Sequence, residues 1–421
     1  MKALVVGAGI GGLAAALSLH RAGIEVAVYE RSALDTEAGA GIQLSPNASR
    51  VLRGLDLEAA VRAAGVLPDA IRLRDFRSGR LLAERPLAAT AERRYGAPYL
   101  HIHREALHRI LRDAVEASGV TLHTDAACAG VHITGPTAIA RFEGDRPRAE
   151  ADLVVAADGV HSMLRQALFG GGTARASGMT AYRALIEAPA QPVRMREPAA
   201  GVWLAPGAHL VHYPVDGGRR INLVAVVEHH GGDHAEVVDV PGVTVVTRAF
   251  DDGHRELRAL VDAADTWRPW PLYEHPPLPR WHVARAVILG DAAHPLLPFL
   301  AQGAAMALED AWLLGRALAP VAARSAGADS DALAAALASY AHARRPRVAR
   351  VQQASRRQGR LFHHRPHAVR LARNAYLAFG SRFLPGVAMA RYDWLHGHDV
   401  LAEGARVETE VATQLERQSR R

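Results

Sequence analysis

Cysteine is almost missing from this chain: Cys128 is the only one among 421 residues. A disulfide within the chain and any cysteine-built zinc or iron–sulfur centre are therefore excluded. The lone thiol is expected to fill a small apolar gap. Lysine is just as scarce. Lysine and arginine number 50 together, Lys2 is the only lysine, and 49 are arginine, a pattern that fits GC-rich codon usage. No apolar run reaches the ~18 residues that would cross a bilayer. The opening Met1-Lys2 leads into a short run ending at Gly7, unlike a signal-peptide core, so a cytoplasmic protein is expected. Acids are absent between Asp331 and Asp393, whereas residues 344–373 carry ten arginines within a formal net charge of +7. A solvated helical face is the expectation there, and attraction of an anionic partner is the alternative.

What is present is ordinary for a folded protein. Hydrophobic residues make up 49% and charged residues 22% of the chain, which excludes a disordered chain, a collagen or a long coiled coil. The length corresponds to two or three domains. Ala3–Val6 reads as a strand, Leu13 to Arg21 as a helix stopped by Gly23, and Glu25–Glu30 as a second strand. A second α/β block starts near Leu100. From about Gly178 to Trp270, short β-rich runs alternate with Gly-rich turns, as in an inserted, mostly antiparallel sheet. The α/β texture returns at Ala286–Leu289, with a helix from Gly303 to about Leu318 and a mostly helical tail from Asp331.

Three motifs carry chemistry. Gly7, Gly9 and Gly12 form Gly-x-Gly-x-x-Gly between the first strand and helix. One glycine makes the tight turn, one lets a pyrophosphate approach the backbone, and one lets helix and strand pack closely. The helix N-terminus offers unpaired N–H groups to the phosphates. Glu30, 18 residues after Gly12, is placed to accept from both hydroxyls of an adenosine ribose. Asp158-Gly159 follows an apolar run; read alone it is a strand-to-helix turn with a capping aspartate. Gly290-Asp291 follows the strand Ala286–Leu289, so Asp291 sits at its carboxyl end, where α/β sheets hold ligands. Gly303 and Ala304 then begin a helix whose positive end suits an anionic ring edge.

In this order and spacing, the glycine turn, Asp158-Gly159 and Gly290-Asp291-Ala-Ala-His resemble the FAD-dependent aromatic hydroxylases of the para-hydroxybenzoate hydroxylase type. More narrowly, the chain is similar to the salicylate hydroxylase and 3-hydroxybenzoate 6-hydroxylase branch. Residues 209–215, 276–281, 297–304, 344–352 and 392–400 carry the narrower likeness, which covers essentially the whole length. The implied fold is α/β: a Rossmann-like FAD domain, an inserted mostly antiparallel substrate sheet, and a helical C-terminal tail. The corresponding spans are 1–70, 100–177 and 282–340 for the FAD domain, 71–99 and 178–281 for the substrate domain, and 341–421 for the tail.

The resemblance implies that Asp291 binds the ribityl chain, that Arg104 reaches the flavin side of the cofactor, and that Gly303 and Ala304 contact the ring. Asp158 and Gly159 would lie near the pyrophosphate and the approach of NAD(P)H. Arg31 and Gly41 join the expected cofactor contacts, and Cys128 would pack inertly beside the adenine. The implied reaction is hydroxylation of a phenolic or pyridine-carboxylate ring through a C4a-hydroperoxyflavin, with FAD bound and NAD(P)H, NADH first, as transient co-substrate. Such a reaction calls for a base that removes a phenolic proton, and histidine suits. His209 and His212 are three apart on a strand, so only one can face the ring. His212 is the expected base, with Gln302 across the pocket and Pro298 shaping the loop over the flavin edge.

Other outcomes stay open: decarboxylative hydroxylation or epoxidation of a secondary-metabolite intermediate, a flavin-binding nucleic-acid regulator using the 344–373 arginines, or membrane docking through the tail. Phe362 alone interrupts those arginines as an aromatic, against nucleic-acid stacking. Tyr376, Leu377, Phe379, Phe383 and Leu384 are expected to cover the FAD domain rather than a membrane. His229-His230 with Asp233-His234, His363-His364, His396 and His398 lack metal-binding spacing, so no metal is expected and these histidines are read as exposed. A monomer or homodimer is expected.

Overall fold

The first strands of the chain are short, apolar and buried on both faces, which suits a parallel sheet covered by helices. The computed structural model describes residues 1–34, 40–229, 240–324 and 329–419. Six strands form that sheet, in the order His282–Val283, Ala286–Ile288, Leu153–Ala156, Lys2–Val6, Glu25–Tyr29 and Thr121–His123. All neighbours are parallel except the first pair. Ala3, Leu4 and Val5 are fully buried, as are Leu153, Val154 and Val155 beside them. Helix Ile10–Arg21 packs against helix Gly303–Ala322. Their approach is close enough that a Cβ on Gly315 would lie 2.6 Å from the Ser18 carbonyl oxygen. Gly23, at φ +80°, follows the first helix as its left-handed stop.

A second sheet holds seven strands, ordered Arg268–Glu274, Arg175–Glu187, Arg220–Glu228, Ala208–Val215, Ala199–Ala205, Ala70–Asp75 and Leu81–Pro86. Only the pairing of Ala199–Ala205 with Ala70–Asp75 is parallel. The period of two along its strands divides its residues between two layers. Trp203, Leu210, Leu223 and Ala225 pack on Phe250, Leu257 and Leu260 from helices Gly242–Phe250 and Arg255–Asp262. Ala181, Val202 and Val226 face the other way, toward Leu297, Phe299 and Phe362. The central cavities open on this second face.

The C-terminal part is helical: Ser330–Phe362, His367–Phe383, Pro385–Ala390, Asp393–His396 and Val400–Ser419. The expectation of a solvated arginine face needs correction on one side of the long helix. Arg344 is fully buried, while Arg345, Arg350, Arg356, Arg357 and Arg360 point outward. Helix His367–Phe383 also departs from expectation, because it packs on strand Leu81–Pro86 of the seven-stranded sheet rather than on the six-stranded one. Tyr376, Phe379, Phe383 and Leu384 remain exposed there.

Candidate active site

The glycine turn divides its labour residue by residue. Gly7 sits at φ +105°, where a Cβ would fall 2.4 Å from the Ala157 carbonyl oxygen. A Cβ on Gly12 would lie 1.9 Å from the Gly7 oxygen, so this position sets the closeness of helix and strand. Gly9 differs: nothing lies within 4 Å of its Cβ position. That opening is the cradle a pyrophosphate needs beside the helix N-terminus. Glu30 follows the second strand and accepts from the Ala8 N–H at 2.8 Å with one carboxylate oxygen. Its other oxygen accepts from the backbone and hydroxyl of Ser32. Cys128, half-buried at the start of strand Cys128–Thr134, has its thiol pKa raised by burial, which disfavours the reactive thiolate.

A cavity of about 370 Å³ continues from Gly9 past Gly41, Arg104, Gly159, Arg183, Asp291, Gly303 and Ala304. Asp291 is far inside the protein mass, yet its side chain is accessible because it faces this cavity. Burial pushes its carboxyl pKa up, against the pull of His294 and Arg104. Such a carboxylate suits the hydroxyls of a ribityl chain. Gly41 donates its N–H to Asn222 at 2.6 Å, and a Cβ there would overlap Tyr213 and Asn222, so only glycine lets the seven-stranded sheet approach. Asp158 is committed elsewhere: it accepts from Ser162 Oγ at 2.6 Å and the Leu164 N–H at 3.2 Å, capping helix Met163–Phe169, while Gly159 lines the cavity. Arg31 is exposed and is not among the lining residues.

Beneath the Asp291 loop lies an ion cluster that sequence reading missed. Glu309 and Asp310 are fully buried on helix Gly303–Ala322. Arg344 binds both, at 2.7 Å to each, and Arg347 grips Glu309 at 2.6 and 2.7 Å. Burial alone would raise the Glu309 carboxyl, but Arg344 and Arg347 outweigh it and hold it well below the usual range. Asp310 also accepts from His294 at 2.5 Å and the Gly290 N–H at 3.0 Å, fixing the strand end that carries Asp291. Asn47 bridges Glu309 to Gln302, whose amide donates to Ser45 Oγ at 2.8 Å. Gln302 therefore lines the cavity wall with its amide locked into this network. Two adjacent acids on an apolar helix, with arginines one turn apart downstream, were the available signal.

A second cavity of about 990 Å³, mostly apolar, lies between the seven-stranded sheet and the C-terminal helices. The two cavities share Gln43, His209, Val211, Pro298 and Ala301. Pro298 opens the turn Pro298–Leu300, which ends on Ala301 at φ +53°. The strand alternation places His209, Val211 and Tyr213 on the cavity face and His212 on the opposite one. The expectation for His212 is thus corrected. His212 sits over Gly201, where a Cβ would be 2.0 Å from its Nε2, and burial with nearby Arg74 lowers its pKa to about 4. His209 reaches the wall; its Nδ1 is 2.7 Å from His363 Nε2. Burial, then His363, holds its pKa well below the ordinary histidine value, so it is a neutral imidazole.

The other histidines also need correction. His363 and His396 are buried, not exposed. His363 bonds to Glu228 at 3.0 Å, and His398 to Glu403 at 3.1 Å. No group of three metal-ligating side chains occurs among the described residues. His230, Asp233 and His234 lie outside the described residues.

The open Gly9 cradle, the placement of Glu30 and the deep cavity-facing Asp291 fit an FAD. Comparison with known proteins agrees. The family model described as "FAD binding domain" matches residues 1–355. The chain is 39% identical over 363 residues to the 3-amino-4-hydroxybenzoate 2-monooxygenase of Streptomyces cremeus, covering 86% of this chain and 88% of the relative. It is 34% identical over 407 residues to the 3-hydroxybenzoate 6-hydroxylase 1 of Aquipseudomonas alcaligenes, covering 94% and 98%. Among solved structures, Klebsiella pneumoniae HpxO complexed with FAD and uric acid superimposes with a TM-score of 0.80 at 26% identity, covering 94% of this chain and 97% of that one. With the cofactor cradle, the matched model and relatives that span its length, the chain belongs to the family of FAD-dependent aromatic monooxygenases.

Proposed function

We propose that this enzyme hydroxylates a small phenolic ring bearing a carboxylate, or its pyridine counterpart, and that His209 is the base that activates it. The observation that carries the reading is the position of His209 on the wall shared by the two cavities. The ring would lie there, between the Asp291–Ala304 loop and the apolar cavity. Bound FAD, reduced by NAD(P)H, supplies the activated oxygen. The chain's own residues do the rest. Neutral His209 takes the phenolic proton, which makes the ring electron-rich. Pro298 and Ala301 close the wall around it, and Phe299, Val211 and Val202 keep water out. Gln302, Asn47 and Glu309 hold the loop rather than the ring. In the same reading, Arg104 and Asp291 hold the cofactor, Gly159 borders the NAD(P)H approach, and NADH is the reductant.

The protein would work as a monomer or homodimer in the cytoplasm without nucleic acid. Support comes from the basic tail, whose Arg344 and Arg347 are spent on Glu309, Arg356 on Glu274 and Arg365 on Glu228. No helix among the described residues is long and apolar enough to cross a membrane. One observation favours a second reading: the apolar cavity is at the upper end of the range for ligand pockets, about 1,000 Å³. Such room suits a larger intermediate, oxidised with or without loss of CO₂. The test is NADH and NADPH oxidation by the FAD-loaded protein against hydroxybenzoates, aminohydroxybenzoates and hydroxypyridine carboxylates, with product masses. A panel member that stimulates oxidation and gains one oxygen supports the first reading. Gain of oxygen with loss of CO₂ moves the enzyme to the decarboxylating reaction. Oxidation stimulated by no member overturns the small-ring assignment.

A further inference from the structure

His209 does not stand alone, and its neighbours lead out of the protein. Its Nδ1 lies 2.7 Å from His363 Nε2, and His363 Nδ1 lies 3.0 Å from Glu228 Oε1. Glu228 Oε2 accepts from Arg365 at 3.0 Å. Three separate elements supply this line: strand Ala208–Val215, the cap of helix Ser330–Phe362, and the last residue of strand Arg220–Glu228. Exposure rises along it. His209 is 2% and His363 4% exposed, whereas the Glu228 side chain is 32% exposed. The rings of Phe299 and Phe362 flank His209 at 5.5 and 5.3 Å, and Phe299 also stands edge-on to His363 at 5.4 Å. Among the described residues, the charged and titratable groups that act on His209 and Glu228 are His363 and Arg365.

We propose that His363 and Glu228 form a proton relay that sets His209 as an acceptor and carries the substrate's proton from the cavity to solvent. The inference rests on the reading of His209 as base. Hydrogen-bond chemistry gives the direction. An ionised carboxylate only accepts, so His363 donates from Nδ1 and presents a bare Nε2. His209 then donates from Nδ1, which leaves its Nε2 bare toward the cavity. A protonated His363 reverses this order and turns His209 into a donor that cannot take a proton. The hydrogen bond from His363, then Arg365, keeps the Glu228 carboxyl pKa below its usual value, so the anchoring anion persists at neutral pH.

The transfer balances without any redox change. The phenolic O–H bond breaks and an N–H bond forms at His209 Nε2. The His209 Nδ1 proton passes to His363 Nε2, and the His363 Nδ1 proton passes to Glu228, which releases it to water; the reverse passage, as the product regains its phenolic proton, restores the starting tautomers. Neither buried imidazole need hold a positive charge, which burial of His209 disfavours. His363 and Glu228 are thus positioning residues that act through His209.

The test follows the ionisation of bound 3-amino-4-hydroxybenzoate by ultraviolet difference spectra across pH, together with kcat and KM. It uses the full-length FAD-loaded protein and its His209→Gln, His363→Gln, Glu228→Gln and Glu228→Asp variants. Retained flavin absorbance certifies each variant, and the near-isosteric Glu228→Gln decides the matter if His363→Gln does not fold. The relay predicts that Glu228→Gln and His363→Gln raise the pH of substrate ionisation by about one unit and lower kcat about tenfold or more with KM little changed. Glu228→Asp should restore much of both. If these variants match the wild type while His209→Gln does not, the relay is overturned and the base assignment stands. If His209→Gln also matches the wild type, or the wild type does not ionise this phenol, the base assignment falls and the relay with it.

Discussion

The two ends of the central cavity are built in opposite ways. Under Gly7, Gly9 and Gly12 the wall is backbone, and its shape is defined by side chains that are not there. Under the seven-stranded sheet the wall is side chains, drawn from strand Ala208–Val215, the turn Pro298–Leu300 and the C-terminal helices, which lie more than a hundred residues beyond that strand. The first end depends on a few contiguous residues meeting steric limits. The second depends on buried polar groups finding partners across the fold, and each such group is costly when its partner is lost.

That contrast can be broken at several points. The largest effect is expected at Glu309→Ala, which leaves Arg344 and Arg347 without their shared anion. Chemical denaturation should show a loss of roughly 3–5 kcal/mol, and stability near the wild type would mean the cluster does not anchor the loop. Next comes Gly12→Ala, whose Cβ would overlap the Gly7 oxygen; a loss of about 1–3 kcal/mol and of bound FAD is expected.

Acid should act on the side-chain end. His101 and His212 are buried, with pKa values lowered to about 3 and about 4 by burial, joined for His212 by Arg74. The unfolded chain binds protons at these sites below about pH 6.5, and the folded one does not until those lower values. Unfolding then takes up protons, so stability falls as pH drops from about 6.5 toward 4. Each histidine contributes up to about 1.4 kcal/mol per pH unit. A His212→Gln variant should show a shallower acid slope, and an unchanged slope would remove His212 from this account. The smallest structural effect is expected at Gly9→Ala, which meets nothing in the protein. Its apoprotein stability should stay within about 1 kcal/mol of the wild type while FAD retention falls. Undiminished FAD binding would show that the pyrophosphate does not use this opening.

The same contrast explains what can be read from the chain before its structure. Gly7, Gly9, Gly12 and Glu30 are legible because their spacing is local and each position has one steric or electrostatic duty. Asp291, Gly303 and the helix behind them follow from a strand end and a helix start close in sequence. The choice between His209 and His212 is not legible, because a strand period separates their faces without saying which face is covered by helices. Helices Gly242–Phe250 and Arg255–Asp262 cover the His212 side and decide it. His363 reads as one of many histidines until the long helix delivers it beside His209, 154 residues away. Arg344 is hidden among ten arginines for the same reason: only its place on the inner helix face distinguishes it.

The most direct measurement compares His209→Gln with His212→Gln, both FAD-loaded, on the aromatic acid that the wild type turns over. The yield of hydroxylated product per NADH consumed and its rate of formation are followed together. We expect His209→Gln to lose about 10²–10⁴-fold in rate, with NADH still consumed, while His212→Gln keeps the wild-type yield. Loss of hydroxylation in His212→Gln alone would contradict the assignment of His209 as the residue that meets the substrate.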